Sequence, residues 1–194
     1  MLTDDLNIRD GLGVSGLVVI TDLKTGKVIV KKHNMITAWG KRIIYFNFIK
    51  NILKEDYIKE YQNSGYYTHS KDLSKYKLCK LALGRSEAET QYDMDDLRDK
   101  IDTSVAVFNN DMITITGYDS NSAPYIMLTC DFSNTGINDG AAEAVSELGL
   151  FLSQNENPGI STGDNGDKLF SRITFDPIPY LEDTSFKLEY YIYF

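Results

Sequence analysis

The chain has 194 residues, of which 42% are hydrophobic and 25% charged, values that suit one folded domain with its own core and exclude a disordered or fibrous chain. A net charge of −8 at pH 7 argues against wrapping nucleic acid, which needs clustered Lys and Arg to neutralise phosphates. Seventeen of the 20 Lys and Arg precede residue 101, against 14 of the 28 Asp and Glu, so the two parts carry about +3 and −11; such segregation orients a partner or a second copy, or is simply an acidic solvated surface.

In chain order, Gly16-Leu17-Val18-Val19-Ile20 and Lys27-Val28-Ile29-Val30 flank Asp22-Leu23-Lys24-Thr25-Gly26, a β-hairpin pattern with turn residues where a tight connection needs them. Thr37 is placed to cap a helix in which Trp39, Ile43, Phe46, Ile49 and Leu53 recur at helical spacing. Ile44, Tyr45, Phe48 and Ile52 widen that apolar face, which predicts a helix buried on most sides, either in its own core or against another subunit. Residues 56–74, rich in Tyr, Lys, Asn and Ser, read as a long excursion of the kind that contacts partners.

Tyr76 to Leu83 reads as a strand ending at Gly84, and the acidic stretch from Glu87 to Asp99 as a loop or short helical turn. Thr103 to Phe108 and Met112 to Tyr118 around Asn109-Asn110-Asp111 form a second hairpin candidate. Tyr125 to Phe132 alternates, with Ile126, Leu128, Cys130 and Phe132 on one face, residues 133–140 are loop-like, and Ala141 to Leu152 fits helix and strand equally. Residues 153–167, with three glycines and one proline, read as an exposed loop. Leu169 to Phe175 is a strand expected to close at Asp176-Pro177-Ile178-Pro179. The final run places Phe186, Leu188, Tyr190, Ile192 and Phe194 on one face and Lys187, Glu189, Tyr191 and Tyr193 on the other, which locks the last residues into a sheet. The expected fold is therefore mainly β (α+β): an antiparallel β-sandwich, a single domain over residues 1–194, with one main buried helix near residues 38–54.

No catalytic, cofactor-binding or metal site is expected. Nucleophilic catalysis needs a Ser, Cys or Thr with a base in reach, and His33, at the end of a basic strand, and His69, in a polar loop, lack motif partners. Cys79 and Cys130 lie far apart in apolar runs, as buried free thiols do. Asp164-Asn165-Gly166-Asp167 lacks the alternate acids and distal Glu of an EF-hand. Asp93, Asp95, Asp96, Asp99 and Asp102 could supply carboxylates for metal binding or acid/base work, and a solvated acidic loop accounts for them as well. The first residues, Met1-Leu2-Thr3-Asp4-Asp5, lack the pattern of a signal peptide, and no apolar run reaches membrane-spanning length. These features lead to the expectation of synthesis in a reducing cytoplasm with no membrane span.

Several segments together resemble small structural proteins of tailed-bacteriophage virions, of tail-fibre, collar, baseplate or neck type. They are the first hairpin running into Asn34-Met35-Ile36-Thr37 and Gly40 before an apolar helix; Leu81-Ala82-Leu83-Gly84; Glu147-Leu148-Gly149-Leu150-Phe151; and Leu169-Phe170-Ser171-Arg172-Ile173-Thr174-Phe175 before the last strand. The resemblance implies a non-enzymatic structural subunit of the virion, made in the host cytoplasm and present in many copies, and carries over no catalytic residue. Its partners would be copies of itself and other virion proteins. The two long insertions are the expected contact loops, with Tyr57, Tyr61, Tyr66, Tyr67, Asn157 and Asp164 as interface residues. A second expectation is a carbohydrate- or receptor-binding module of a phage adsorption apparatus, in which Tyr66, Tyr67 and Tyr118 stack on a host-surface glycan.

Overall fold

The structure is a computed structural model describing residues 14–52, 75–116, 124–133, 143–154, 167–181 and 183–194. Among these residues, nine strands and one α-helix follow in the order β1 Ser15–Asp22, β2 Val28–Ile36, α1 Ala38–Ile52, β3 Lys77–Gly84, β4 Lys100–Val107, β5 Ile113–Thr116, β6 Tyr125–Ser133, β7 Glu143–Ser153, β8 Lys168–Tyr180 and β9 Ser185–Tyr193. All the pairings are antiparallel, in the order β4-β3-β7-β8-β2-β1-β9-β6-β5. The mainly-β expectation with a single helix is met.

Strand β2 belongs to both halves of this order. Along Val28–Asn34 it pairs with β1, and only at Met35 and Ile36 does it pair with β8. The chain thereby divides into a front sheet (β5-β6-β9-β1-β2) and a back sheet (β2-β8-β7-β3-β4) that share one core. Val18, Ile20, Leu128, Cys130, Leu188 and Ile192 from the front meet Leu81, Leu83, Leu148, Leu150 and Ile173 from the back. Two contacts tie the layers: the Tyr180 and Phe186 rings stack at 5.5 Å, and the buried Tyr190 hydroxyl bonds Ser171 Oγ and accepts from Asn34 Nδ2.

The two sheets differ in how they are covered. In β9, Phe186, Leu188, Tyr190 and Ile192 are buried while the residues between them are half-exposed, the alternation of a sheet with one wet face. In β7 and β8, by contrast, every residue of 145–153 and 169–173 is buried. The outer face of the back sheet is roofed by the segment 85–99, whose Met94 and Leu97 pack on Cys79, Ala82, Phe151 and Leu169. Burial on both faces erases the two-residue period, which is why Ala141 to Leu152 reads equally as helix or strand; from Glu143 it is a strand.

The first turn forms as its residues dictate. Asp22 Oδ1 accepts from the amides of Lys24 and Thr25, each at 2.8 Å, and Gly26 takes φ 67°, a conformation that costs other residues more. Thr37 caps α1, its Oγ1 accepting from Gly40 N at 3.3 Å and donating to Phe170 O at 3.1 Å. A Cβ on Gly40 would strike the Phe170 carbonyl, so glycine is what lets the helix sit against β8.

Two expectations are corrected. The second hairpin does not form: β4 pairs with β3 and β5 with β6, at opposite ends of the strand order. Asn109 instead caps a 3-10 turn over Asn110–Met112, accepting from Asp111 N and Met112 N, and the chain crosses between sheets there. The Pro-containing stretch does not end β8, which continues to Tyr180 with Pro179 opposite Ala144. A proline cannot donate, so that pair is a non-hydrogen-bonded one and the proline nitrogen faces away from β7, toward the side that β2 has left. In the helix Ala38 and Ile43 are buried, Trp39 and Ile44 are partly covered and Tyr45 is exposed; the side chains of Phe46, Phe48, Ile49 and Ile52, on which its expected burial turns, lie outside the described residues. It packs on β8, with Ile43 in the shared core and Trp39 and Ile44 against it.

Candidate assembly surfaces

The six expected interface residues, Tyr57, Tyr61, Tyr66, Tyr67, Asn157 and Asp164, lie outside the described residues, as do His69 and Tyr118. Of the other candidates, His33 is exposed on β2, with Nδ1 3.2 Å from Gly16 O. Cys79 and Cys130 are free, buried thiols, each pushed up to about 12 by desolvation. Neither has a nucleophile's electropositive setting. Among the described residues no three His, Cys, Asp or Glu side chains are placed to share a metal ion, and no helix is long and apolar enough to cross a membrane.

The acidic stretch is held down rather than set out as a carboxylate cluster. Asp96 accepts from Leu97 N at 2.8 Å, with its carboxyl pushed up chiefly by burial, and Asp99 faces Arg85 at 3.6 Å. Beneath the segment lies an ion pair that sequence reading did not find. Arg172 of β8 and Glu147 of β7, both without solvent exposure, meet through Nε and Nη2 at 2.7 Å from Oε2. Glu147 also accepts from Asp99 N at 2.8 Å and from Ser86 N and Arg98 N at 3.3 Å. Arg172 donates to Ala88 O, Thr90 Oγ1 and Ser86 O. The pair satisfies the backbone at both ends of the covering segment, and it does so where a Cβ on Gly84 would collide with the Glu147 carboxylate and one on Gly149 with Leu97. A second buried pair, Lys80 with Asp167, ties β3 to the residue before β8; Asp167, expected in an exposed loop, is buried. Neighbours along the sequence carry no sign of either pairing, because Arg172 and Glu147 lie on different strands and Lys80 and Asp167 are far apart in the chain.

The outer face of the front sheet is open to solvent. On the outer face of the front sheet the registers align Tyr125 with Tyr193 and Ser15, Met127 with Tyr191, Leu17 and His33, and Thr129 with Glu189, Val19 and Lys31. The Tyr125 ring lies 5.5 Å from that of Tyr191 and 5.7 Å from that of Tyr193. All three tyrosines, with Met127, Leu17 and Val19, are half-buried. The face is aromatic and aliphatic, and it also carries the Lys187–Glu189 pair at 2.8 Å, with Glu189 in register with Thr129 and Val19.

The edges of the front sheet are open too. Beyond Asn34 toward Val28, β2 has no strand on its β8 side among the described residues, and the two splay apart around a groove of about 350 Å³ between Ile29–Lys32 and Phe175–Pro179. Lys32 Nζ reaches across it to Thr174 O at 2.8 Å. At the other end, β5 is paired on one side only among the described residues. No family model, no curated protein and no solved structure matches the chain.

Proposed function

We propose that the chain is a non-enzymatic structural subunit of a tailed-phage virion, assembling in multiple copies in the tail, neck or fibre-attachment region. The observation that carries the assembly part is the outer face of the front sheet, where Tyr125, Tyr191, Tyr193, Met127, Leu17 and Val19 form one half-buried apolar surface on a sandwich whose other outer face is roofed. Contiguous apolar surface of this kind marks contact with another macromolecule. The virion part rests on the sequence resemblance, whose separate pieces supply Thr37 and Gly40 at the helix start, Gly84, Glu147 and Gly149 beside the ion pair, and Arg172 itself. The insertions at 56–74 and 153–167 belong to the same proposal as further contact loops.

Antibodies raised against the purified chain test it. Gold labelling at one fixed position on tailed particles, with sedimentation of the purified chain as a discrete oligomer, is expected; a monomer that labels no particle would refute it.

A second reading, glycan binding, is favoured by the same tyrosine group, since rings 5.5 and 5.7 Å apart resemble a stacking platform for sugar faces. A glycan array separates the two: binding by a monomer that is lost in Tyr191→Ala supports the module, and a discrete oligomer without sugar binding supports the subunit.

A further inference from the structure

We infer that copies of this chain join edge to edge, β5 of one adding to the free edge of β2 in the next and extending the front sheet from copy to copy. The inference rests on the proposed role as a multi-copy subunit and names the contact.

Both edges carry the same unusual feature. On β5, Ile115 is 74% exposed and Ile113 36%; on β2, Val28 is 50% exposed and Ile29 39%. Monomeric proteins guard sheet edges with Lys, Pro or bulges, yet β5 reads Ile113-Thr114-Ile115-Thr116, uncharged and β-branched throughout. Among the described residues its backbone is unpaired on one side, and β2 is unpaired toward β8 from Val28 to Asn34.

Side-chain directions match. Ile113 and Ile115 stand opposite Leu128 and Ile126, so they point to the inner side of the front sheet. On β2 that same side carries Val30 and Lys32 and leads into the groove, where Val30, Phe175 and Ile178 offer apolar walls to the incoming isoleucines once Lys32 Nζ leaves Thr174 O. Thr114, aligned with Met127, and Lys31, aligned with Val19, both lie on the outer face and become cross-strand neighbours in the joined sheet.

Charge and proline select this pairing over its alternatives. Lys31 and Lys32 on the β2 side, opposed in the groove only by Asp176, disfavour two β2 edges meeting and favour β5, which follows the exposed Asp111. Pro177 and Pro179 leave the β8 wall short of donors, so the incoming strand bonds β2 and only packs on β8. Because the two edges are different surfaces, the contact is heterologous, and it closes into a ring when the rotation per copy allows.

The test uses the full chain in two variants that each add one cysteine, Thr114→Cys and Lys31→Cys, treated with a short bis-maleimide; Cys79 and Cys130 are buried and stay unlabelled in the folded protein. Cross-linked dimer is expected from the mixture and from neither variant alone. In parallel, Ile115→Lys is expected to shift the sedimentation of the wild-type oligomer to monomer with an unchanged circular dichroism spectrum and melting temperature. Dimer from Thr114→Cys alone, or an Ile115→Lys protein that remains fully assembled, overturns the edge contact and leaves the subunit reading standing on another surface. A monomeric wild-type chain that yields no cross-link and labels no particle overturns both.

Discussion

Replacing Glu147 with Leu removes the one acceptor that serves both Arg172 and three backbone amides of the covering segment. Breaking a buried ion pair by deleting one partner costs about 3–5 kcal/mol, since the other charge is left uncompensated, and the amides of Ser86, Arg98 and Asp99 lose their acceptor as well. Against a total stability of about 5–15 kcal/mol, the loss is a large fraction, and at roughly 2–4 °C per kcal/mol for a chain of this size it lowers the melting temperature by about 6–20 °C. Arg172→Met is expected to cost less than Glu147→Leu, because the carboxylate keeps its three amide donors. The double variant should be more stable than the sum of the two losses predicts, since no charge is left buried alone. Urea unfolding followed by circular dichroism gives the three free energies, and amide hydrogen exchange over residues 85–99 shows whether the segment loosens. A loss under about 1 kcal/mol for Glu147→Leu, or strictly additive single and double losses, would refute the assignment of this pair as the anchor of the segment.

Phe186→Ala deletes a buried ring stacked on Tyr180 and is expected to cost about 3–5 kcal/mol, whereas Lys187→Ala, breaking a partly exposed pair with Glu189, should cost under about 1 kcal/mol by urea titration. Tyr190→Phe leaves Ser171 and Asn34 without their buried partner and should destabilise the junction of the two sheets by about 1–3 kcal/mol. The two thiols, raised by burial from 9 to about 12, stay protonated in the folded chain while the unfolded chain ionises. Their contribution to stability is therefore present below pH 9 and is lost as pH rises toward 12. Alkylation at pH 8 should label neither cysteine until urea unfolds the chain, and rapid labelling under native conditions would contradict their burial.

The parts of this protein that the sequence by itself determined are those whose information is local. The β1–β2 turn is written in Asp22 and Gly26, the helix start in Thr37, and the inner face of β9 in the two-residue spacing from Phe186 to Ile192; each depends on residues within one turn or one strand of each other. Pairing between distant strands was decided only by tertiary structure. Asn109-Asn110-Asp111 looks like a hairpin loop because its local chemistry favours a turn, but whether the flanking strands pair depends on β3 and β6, which claim β4 and β5 first. Pro177 and Pro179 look like a strand end because a missing donor is usually fatal to a ladder, but on β8 the donorless side faces the gap that β2 leaves. The same holds for the candidate surfaces. A tyrosine's half-burial on the front sheet, the isolation of Arg172 and Glu147 from water and the exposure of Ile115 are properties of what lies across from each residue, and that neighbour is 25 positions away for Arg172 and Glu147 and further still for β9 and β1, where closure of the sheet and not spacing along the chain brings the partners together.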